Sequence, residues 1–261
     1  MRVKEIMDPK HPVIRGDESA TKARALVRDS KVRLLPVIDD DGKLLGVVTR
    51  GSLMTISSSV SPIQVKGIMV EPKHVTSVED DAFSAVKQMI RLDEWNVPVV
   101  NSGQDKTYRG ILGLDSFIDA IIRTSPEKLS KEVSAIMSTN VVCCSLDDEV
   151  EQVWRLMQEQ SFSGLPVVKK DKLVGMITQK DLLESGTIFP AFESKKGRFR
   201  ASSKVSSIMK GNVIAVKPSV KAIRVAKVMV SKDIGRVPVE DEKGKLVGIV
   251  DREDVARLIV K

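Results

Sequence analysis

"VSAIMSTNVVCCSLDDEVEQVWRLMQEQSFSGLPVVKKDKLVGMITQKDLL", residues 133–183, carries one complete structural unit. Val150, Val153, Trp154 and Met157 fall at i, i+3, i+4 and i+7, which predicts one apolar face of a helix. The acidic "DDE" at 147–149 suits the positive end of that helix. A short β-like stretch precedes it. A valine-rich strand, "LPVV", and a second strand with an embedded glycine, "GMIT" from Gly175, follow it. The second strand stops at Thr178 and turns into a polar helix start, so the unit reads β-α-β-β-α.

Working outward, the opening phrase recurs: "VKEIM" ending at Met7, "VKGIM" at Met69, "VSAIM" at Met137 and "VSSIM" at Met209. Each is followed, 29 residues after its methionine, by a proline among apolar residues: Pro36, Pro98, Pro166 and Pro238. Four equal separations establish an internal repeat. About ten residues beyond each proline comes the glycine-bearing strand: "GVVT" from Gly46, "GILG" from Gly110, "GMIT" from Gly175 and "GIVD" from Gly248. A unit of about sixty residues rarely stabilises itself, so the units are expected to pair and share cores. The stretch "RTSPEKLSKE", 123–132, has linker chemistry and divides the chain into halves 1–126 and 127–261. The first half holds repeats 1–60 and 61–122, the second 130–188 and 202–261. A basic connection, 190–204, carries Lys195, Lys196, Arg198, Arg200 and Lys204 against the single acid Glu193.

Composition narrows the chemistry. No apolar run reaches the roughly 18 to 20 residues that cross a bilayer, and "MRVKEIMDPK" lacks the apolar core of a secretion signal, which points to the cytoplasm. The only cysteines, Cys143 and Cys144, are adjacent, and neighbouring strand residues face opposite ways, so they make neither a disulfide framework nor a thiolate clamp. His11 and His74 lack the spacing of a metal pair, and no metal site is expected. No Ser/His/Asp, Cys/His or paired-carboxylate set emerges, so the expectation is a protein without catalysis. A net charge of +7 admits an anionic partner, while 3 % aromatic residues leave little for stacking on single-stranded nucleic acid.

The "IM" lead, the "LPVV" strand and the corner of glycine, two apolar residues, Thr-x-x-Asp resemble the cystathionine β-synthase (CBS) domain. The resemblance covers nearly the whole chain and implies an α+β fold of four tandem repeats, paired into two Bateman modules. It also implies an adenosine-type ligand between paired repeats: AMP first, with ADP, ATP, S-adenosylmethionine or methylthioadenosine as the other candidates. In that family the threonine commonly contacts a phosphate and the aspartate holds ribose hydroxyls. Thr178 and Asp181 stand at those positions in repeat three, with Lys180 beside them as a phosphate-facing cation.

The same corner also reads as a helix cap, because T-x-x-D is a capping pair. All four copies carry a capping residue first: Thr49, Gly113, Thr178 and Asp251. The last position separates them, reading Ser52, Ser116, Asp181 and Asp254. Only the second module keeps the carboxylate, so it is the expected binding module, with Thr49 and Ser52 the weaker set and Asp115 a displaced acid. In repeat four, Asp251 stands where a phosphate would sit. Arg236 either pairs with it, favouring an uncharged or cationic adenosyl group, or is free, favouring AMP or ADP. Arg33 reads as a solvated charge. Trp95 and Trp154 read as core. The expected function is a ligand sensor whose conformation or affinity for a protein partner changes on binding, as monomer or homodimer. The alternative is an interaction or nucleic-acid-binding scaffold that uses the basic linker.

Overall fold

A computed structural model describes residues 1–54, 62–185 and 203–261. The linker at 190–204 lies outside the described residues, except for Ser203 and Lys204.

Repeat one contributes β1 (Ile14–Arg15), α1 (Ala20–Asp29), β2 (Leu34–Ile38), β3 (Leu44–Thr49) and α2 (Arg50–Met54). Repeat two contributes β4 (Thr76–Ser77), α3 (Ala82–Arg91), β5 (Asn96–Val100), β6 (Tyr108–Gly113) and α4 (Leu114–Thr124). Repeat three contributes β7 (Cys144–Ser145), α5 (Val150–Glu159), β8 (Gly164–Lys169), β9 (Lys172–Thr178) and α6 (Gln179–Ser185). Repeat four contributes α7 (Ala222–Ser231), β10 (Arg236–Glu240), β11 (Leu246–Asp251) and α8 (Arg252–Val260). Its expected first strand is reduced to one parallel bridge, Val216 to Val239.

In each three-stranded sheet the short first strand runs parallel to the second, which pairs antiparallel with the third. The proline in the second strand is tolerated because the first strand is only two residues long and pairs beyond it, at Val37 and Ile38 in repeat one. The missing proline N–H therefore breaks no ladder.

Each "IM" lead packs on the neighbouring repeat. Val3 N–H donates to the Asp80 carbonyl (3.0 Å) and Val65 N–H to the Glu18 carbonyl (2.8 Å). In the second half, Val133 N–H donates to Val220 (2.8 Å) and Val205 N–H to Asp148 (3.0 Å). All four valines are fully buried. Repeats one and two thus exchange leads, as do three and four, and this exchange builds the two modules.

Repeat one and repeat three each enclose a core of their own. A third core runs without a break through repeats two and four. It joins Leu114, Phe117, Ile118 and Ile121 of α4 to Val225, Ala226 and Met229 of α7 and to Val255, Ala256 and Ile259 of α8. Leu129, from the stretch read as a linker, is fully buried in the same core. The modules therefore join through the apolar faces of helices. Within each module the sheets of the two repeats meet, through Leu34, Val47 and Ile111 and the Lys43–Thr107 bridge in the first and the Lys172–Lys245 bridge in the second.

Candidate functional site

A capping exchange sets the repeat-three corner. Thr178 Oγ1 accepts from Asp181 N–H (3.2 Å), and Asp181 Oδ2 accepts from Thr178 N–H (2.9 Å) and from the Thr178 hydroxyl (2.5 Å). Asp181 is 5 % exposed, so its second oxygen, Oδ1, is a buried acceptor not used by the cap. Lys210 Nζ stands 2.8 Å from it. The cap therefore uses one oxygen of the carboxylate and leaves the other against Lys210.

The other corners differ. Asp251 Oδ1 accepts from the Glu253 and Asp254 N–H groups (2.9 and 3.1 Å), and Asp254 Oδ2 accepts from Asp251 N–H (2.9 Å). Thr49 Oγ1 accepts from Ser52 N–H (3.1 Å) and lies 3.0 Å from its hydroxyl. In repeat two the Asp115 carboxylate folds back into the space that a side chain at position 113 would take, which only glycine permits.

A non-glycine residue in the left-handed region closes the turn after each first helix: Lys31, Asp93, Ser161 and Asp233, with φ of 59°, 54°, 55° and 48°. Each turn delivers the residue two positions on to the centre of the molecule: Arg33, Trp95, Ser163 and Gly235. The Arg33 and Arg236 guanidiniums lie 4.6 and 4.7 Å from the Trp95 ring centroid, within cation–π range. Both donate to the Ser163 hydroxyl, Arg33 at 3.2 Å. A Cβ on Gly235 would lie 2.5 Å from Arg33 Nη2 and 2.7 Å from the indole, so the absent side chain makes room for both.

Arg50 and Arg252 complete a cluster of four guanidiniums that line one cavity of about 580 Å³. Arg50 is held by the Val32 and Lys31 carbonyls (3.0 and 2.7 Å) and Arg252 by Asp233 (2.9 Å). Burial first, and then repulsion from Arg50, Arg252 and Arg236, pull Arg33 down to about 9. Burial also lowers Arg236, opposed by Asp251. Concentrated positive charge behind a Thr178–Lys180 helix start is the environment that an anionic group relieves.

Thr178, Lys180, Asp181 and Arg236 all line that cavity, together with Lys210, Asn212, Val213 and Ile214 from the lead to repeat four. Thr49 lines a second cavity, of about 350 Å³, with Lys73, Trp95 and Arg236. Ser52, Asp251 and Asp254 line neither. Arg236 sits 3.8 Å from Asp251.

One expectation is corrected: Arg33 is enclosed at the junction of the repeats rather than solvated. Trp95 packs against the core shared by repeats two and four, as read from the sequence, and its ring also stacks with two cations. Arg50, Arg252, Ser163, Gly235 and Lys210 were not picked out by sequence reasoning. Alignment of the four prolines held the signal, since the central residues sit three before each one, and Arg50 and Arg252 directly follow Thr49 and Asp251.

Burial, and then the Asp251 carboxylate, push Asp254 up to about 7 from an ordinary value near 3.8. The fold therefore holds this proton more tightly than the unfolded chain does, and stability from this group falls as pH rises from about 4 through about 7. Thermal melts at about pH 5 and pH 8 should show wild type losing more stability with rising pH than Asp254→Asn; equal losses would contradict the assignment.

A family model described as CBS domain matches residues 3–59, 133–186 and 205–261. The repeat between the first two matches is the one with the glycine and displaced acid at its corner. Protein MJ1225 of Methanocaldococcus jannaschii is 26% identical over 259 residues, spanning 90% of this chain and 90% of that protein. Its crystal structure superimposes with a TM-score of 0.85 at 23% identity, covering 98% of this chain and 99% of that one. A conserved protein from Pyrococcus horikoshii gives a TM-score of 0.69 at 23% identity over 99% of this chain and 100% of that one. Both share the four-repeat fold. An inosine-5'-monophosphate dehydrogenase from Korarchaeum cryptofilum is 32% identical over 130 residues, 49% of this chain but only 24% of that enzyme.

Proposed function

The chain belongs to the CBS domain family, and from that premise we propose that it is a non-catalytic sensor of adenosine-type ligands. The observation that carries the reading is the buried Asp181 Oδ1, an acceptor left over from the cap on a residue that lines the same cavity as four arginines. Oδ1 accepts from the ribose hydroxyls, and the phosphate meets Thr178, Lys180 and Arg33. The repeat-three cleft takes AMP, and ADP or ATP with it. At the repeat-four corner Asp251 and Arg236 face each other, which removes the free cation and favours S-adenosylmethionine or methylthioadenosine.

Signalling follows from where the cations originate. Arg33 belongs to the first module and Thr178 to the second, so a phosphate held by both changes how the modules sit against each other. One such ligand supplies about 1 to 3 kcal/mol of coupling to a protein partner.

Calorimetric titration of AMP, ADP, ATP, S-adenosylmethionine and methylthioadenosine into wild type, Asp181→Ala and Asp254→Ala tests the reading. Loss of a charge-assisted acceptor predicts that Asp181→Ala weakens AMP by about tenfold to a hundredfold, with Asp254→Ala sparing it. Absence of any binding at micromolar concentrations sinks the proposal.

A further inference from the structure

The residue that follows each lead methionine pairs with the glycine-bearing strand of the neighbouring repeat, and these four residues differ: Asp8, Val70, Ser138 and Lys210, of which Asp8 and Lys210 line the large cavity. Their backbones are fixed alike. Lys210 exchanges N–H···O bonds of 2.9 Å in both directions with Met176, Val70 does so with Val47, and Asp8 and Ser138 meet Ile111 and Ile249. Side chains at this position are therefore aimed by the ladder at the opposite corner. Ser138 brings no cation to the Asp254 corner, and Val70 brings none to Ser52. Only in repeat three does an ammonium meet a carboxylate.

That ammonium stands 2.8 Å from Asp181 Oδ1, the oxygen the ribose needs, while 61% of the Lys210 side chain remains exposed. Glu184 Oε2 is its nearest other anion, at 4.0 Å. Ribose hydroxyls reaching Oδ1 must displace Lys210 and leave it beside the Lys180, Arg33 and Arg50 cations lining the same cavity.

We propose that Lys210 is a specificity-determining charge gate on the repeat-three cleft: it occupies the ribose acceptor in the free protein, and a ligand that supplies its own anion gives the displaced ammonium a new partner. Uncharged adenosyl compounds supply none and are disfavoured. The gate deepens the sensor reading and rests on it. It assigns this cleft to phosphate-bearing nucleotides by a residue outside the corner motif, on the lead of the following repeat.

The test titrates AMP and adenosine into the full chain carrying Asp254→Asn, which suppresses the repeat-four corner, with Lys210 as wild type, Lys210→Met or Lys210→Arg. Methionine keeps the stem without the charge, and because the side chain is largely exposed a melt should show the variant folded. Removing one charge-assisted competitor should tighten adenosine about tenfold, with AMP unchanged or weakened, so that the AMP preference collapses by at least about tenfold. Arginine should restore the preference. An unchanged preference in Lys210→Met, with AMP still binding, overturns the gate while the sensor reading stands. If neither AMP nor adenosine binds the parent chain or wild type, the sensor reading fails and the gate fails with it.

Discussion

Phe117→Ala should lower the unfolding free energy by about 3–5 kcal/mol, a large fraction of the total for a single substitution. Phe117 is fully buried on α4, edge-to-face with Phe83 at 5.2 Å between centroids and 87° between planes. The edge-to-face pair adds about 0.5–1.5 kcal/mol beyond the area it removes from water. Its position makes the effect global, because the same core continues into α7 and α8 of repeat four. Removing the ring opens a cavity between the modules as well as inside one. Urea denaturation followed by tryptophan fluorescence reads both, since Trp95 and Trp154 lie in different modules. A loss below about 1 kcal/mol would contradict a core shared across the module boundary.

Arg33→Met should weaken AMP binding at the repeat-three cleft by about tenfold to a hundredfold, the effect of one hydrogen bond to a charged phosphate. The expected cost to the unliganded fold is small. Arg33 gains from the Trp95 ring and Ser163, but the neighbouring guanidiniums repel it and burial opposes its charge. Methionine retains much of the apolar stem and relieves the repulsion. Affinity and stability should therefore part company, with weaker binding and a melting temperature within a few degrees of wild type. Calorimetry and a thermal melt on the same sample decide it. An unchanged AMP affinity would place the phosphate away from the first module and remove the proposed basis for coupling.

Local structure was largely legible in the sequence. Helix periodicity and valine-rich strands marked most of the elements, and the 29-residue Met-to-Pro spacing marked the repeats. The reduced first strand of repeat four was not legible. "VIAV" at 213–216 has ordinary strand chemistry, yet only Val216 bridges to Val239 while Val213 and Ile214 line the large cavity. At the corners, the T-x-x-D pattern pointed to both a cap and a grip. Which oxygen of Asp181 the cap uses, and that Lys210 stands against the other, is decided by the tertiary structure. Spacing carries information about a residue's own element, and Asp181 Oδ1 meets its partner across two repeats.

The sequence by itself determined the repeat, the order of elements and the asymmetry between Ser52 and Ser116 on one side and Asp181 and Asp254 on the other. These follow from local preferences that a few neighbouring residues decide. Tertiary structure alone decided that the leads are exchanged, that repeats two and four share a core, and that Arg33 reaches Ser163, 130 residues away, at 3.2 Å. The physical reason is complementary volume and charge at one central point. Glycine at 235 and serine at 163 leave the space that tryptophan at 95 and arginine at 33 fill, and no residue's own sequence neighbourhood contains that information.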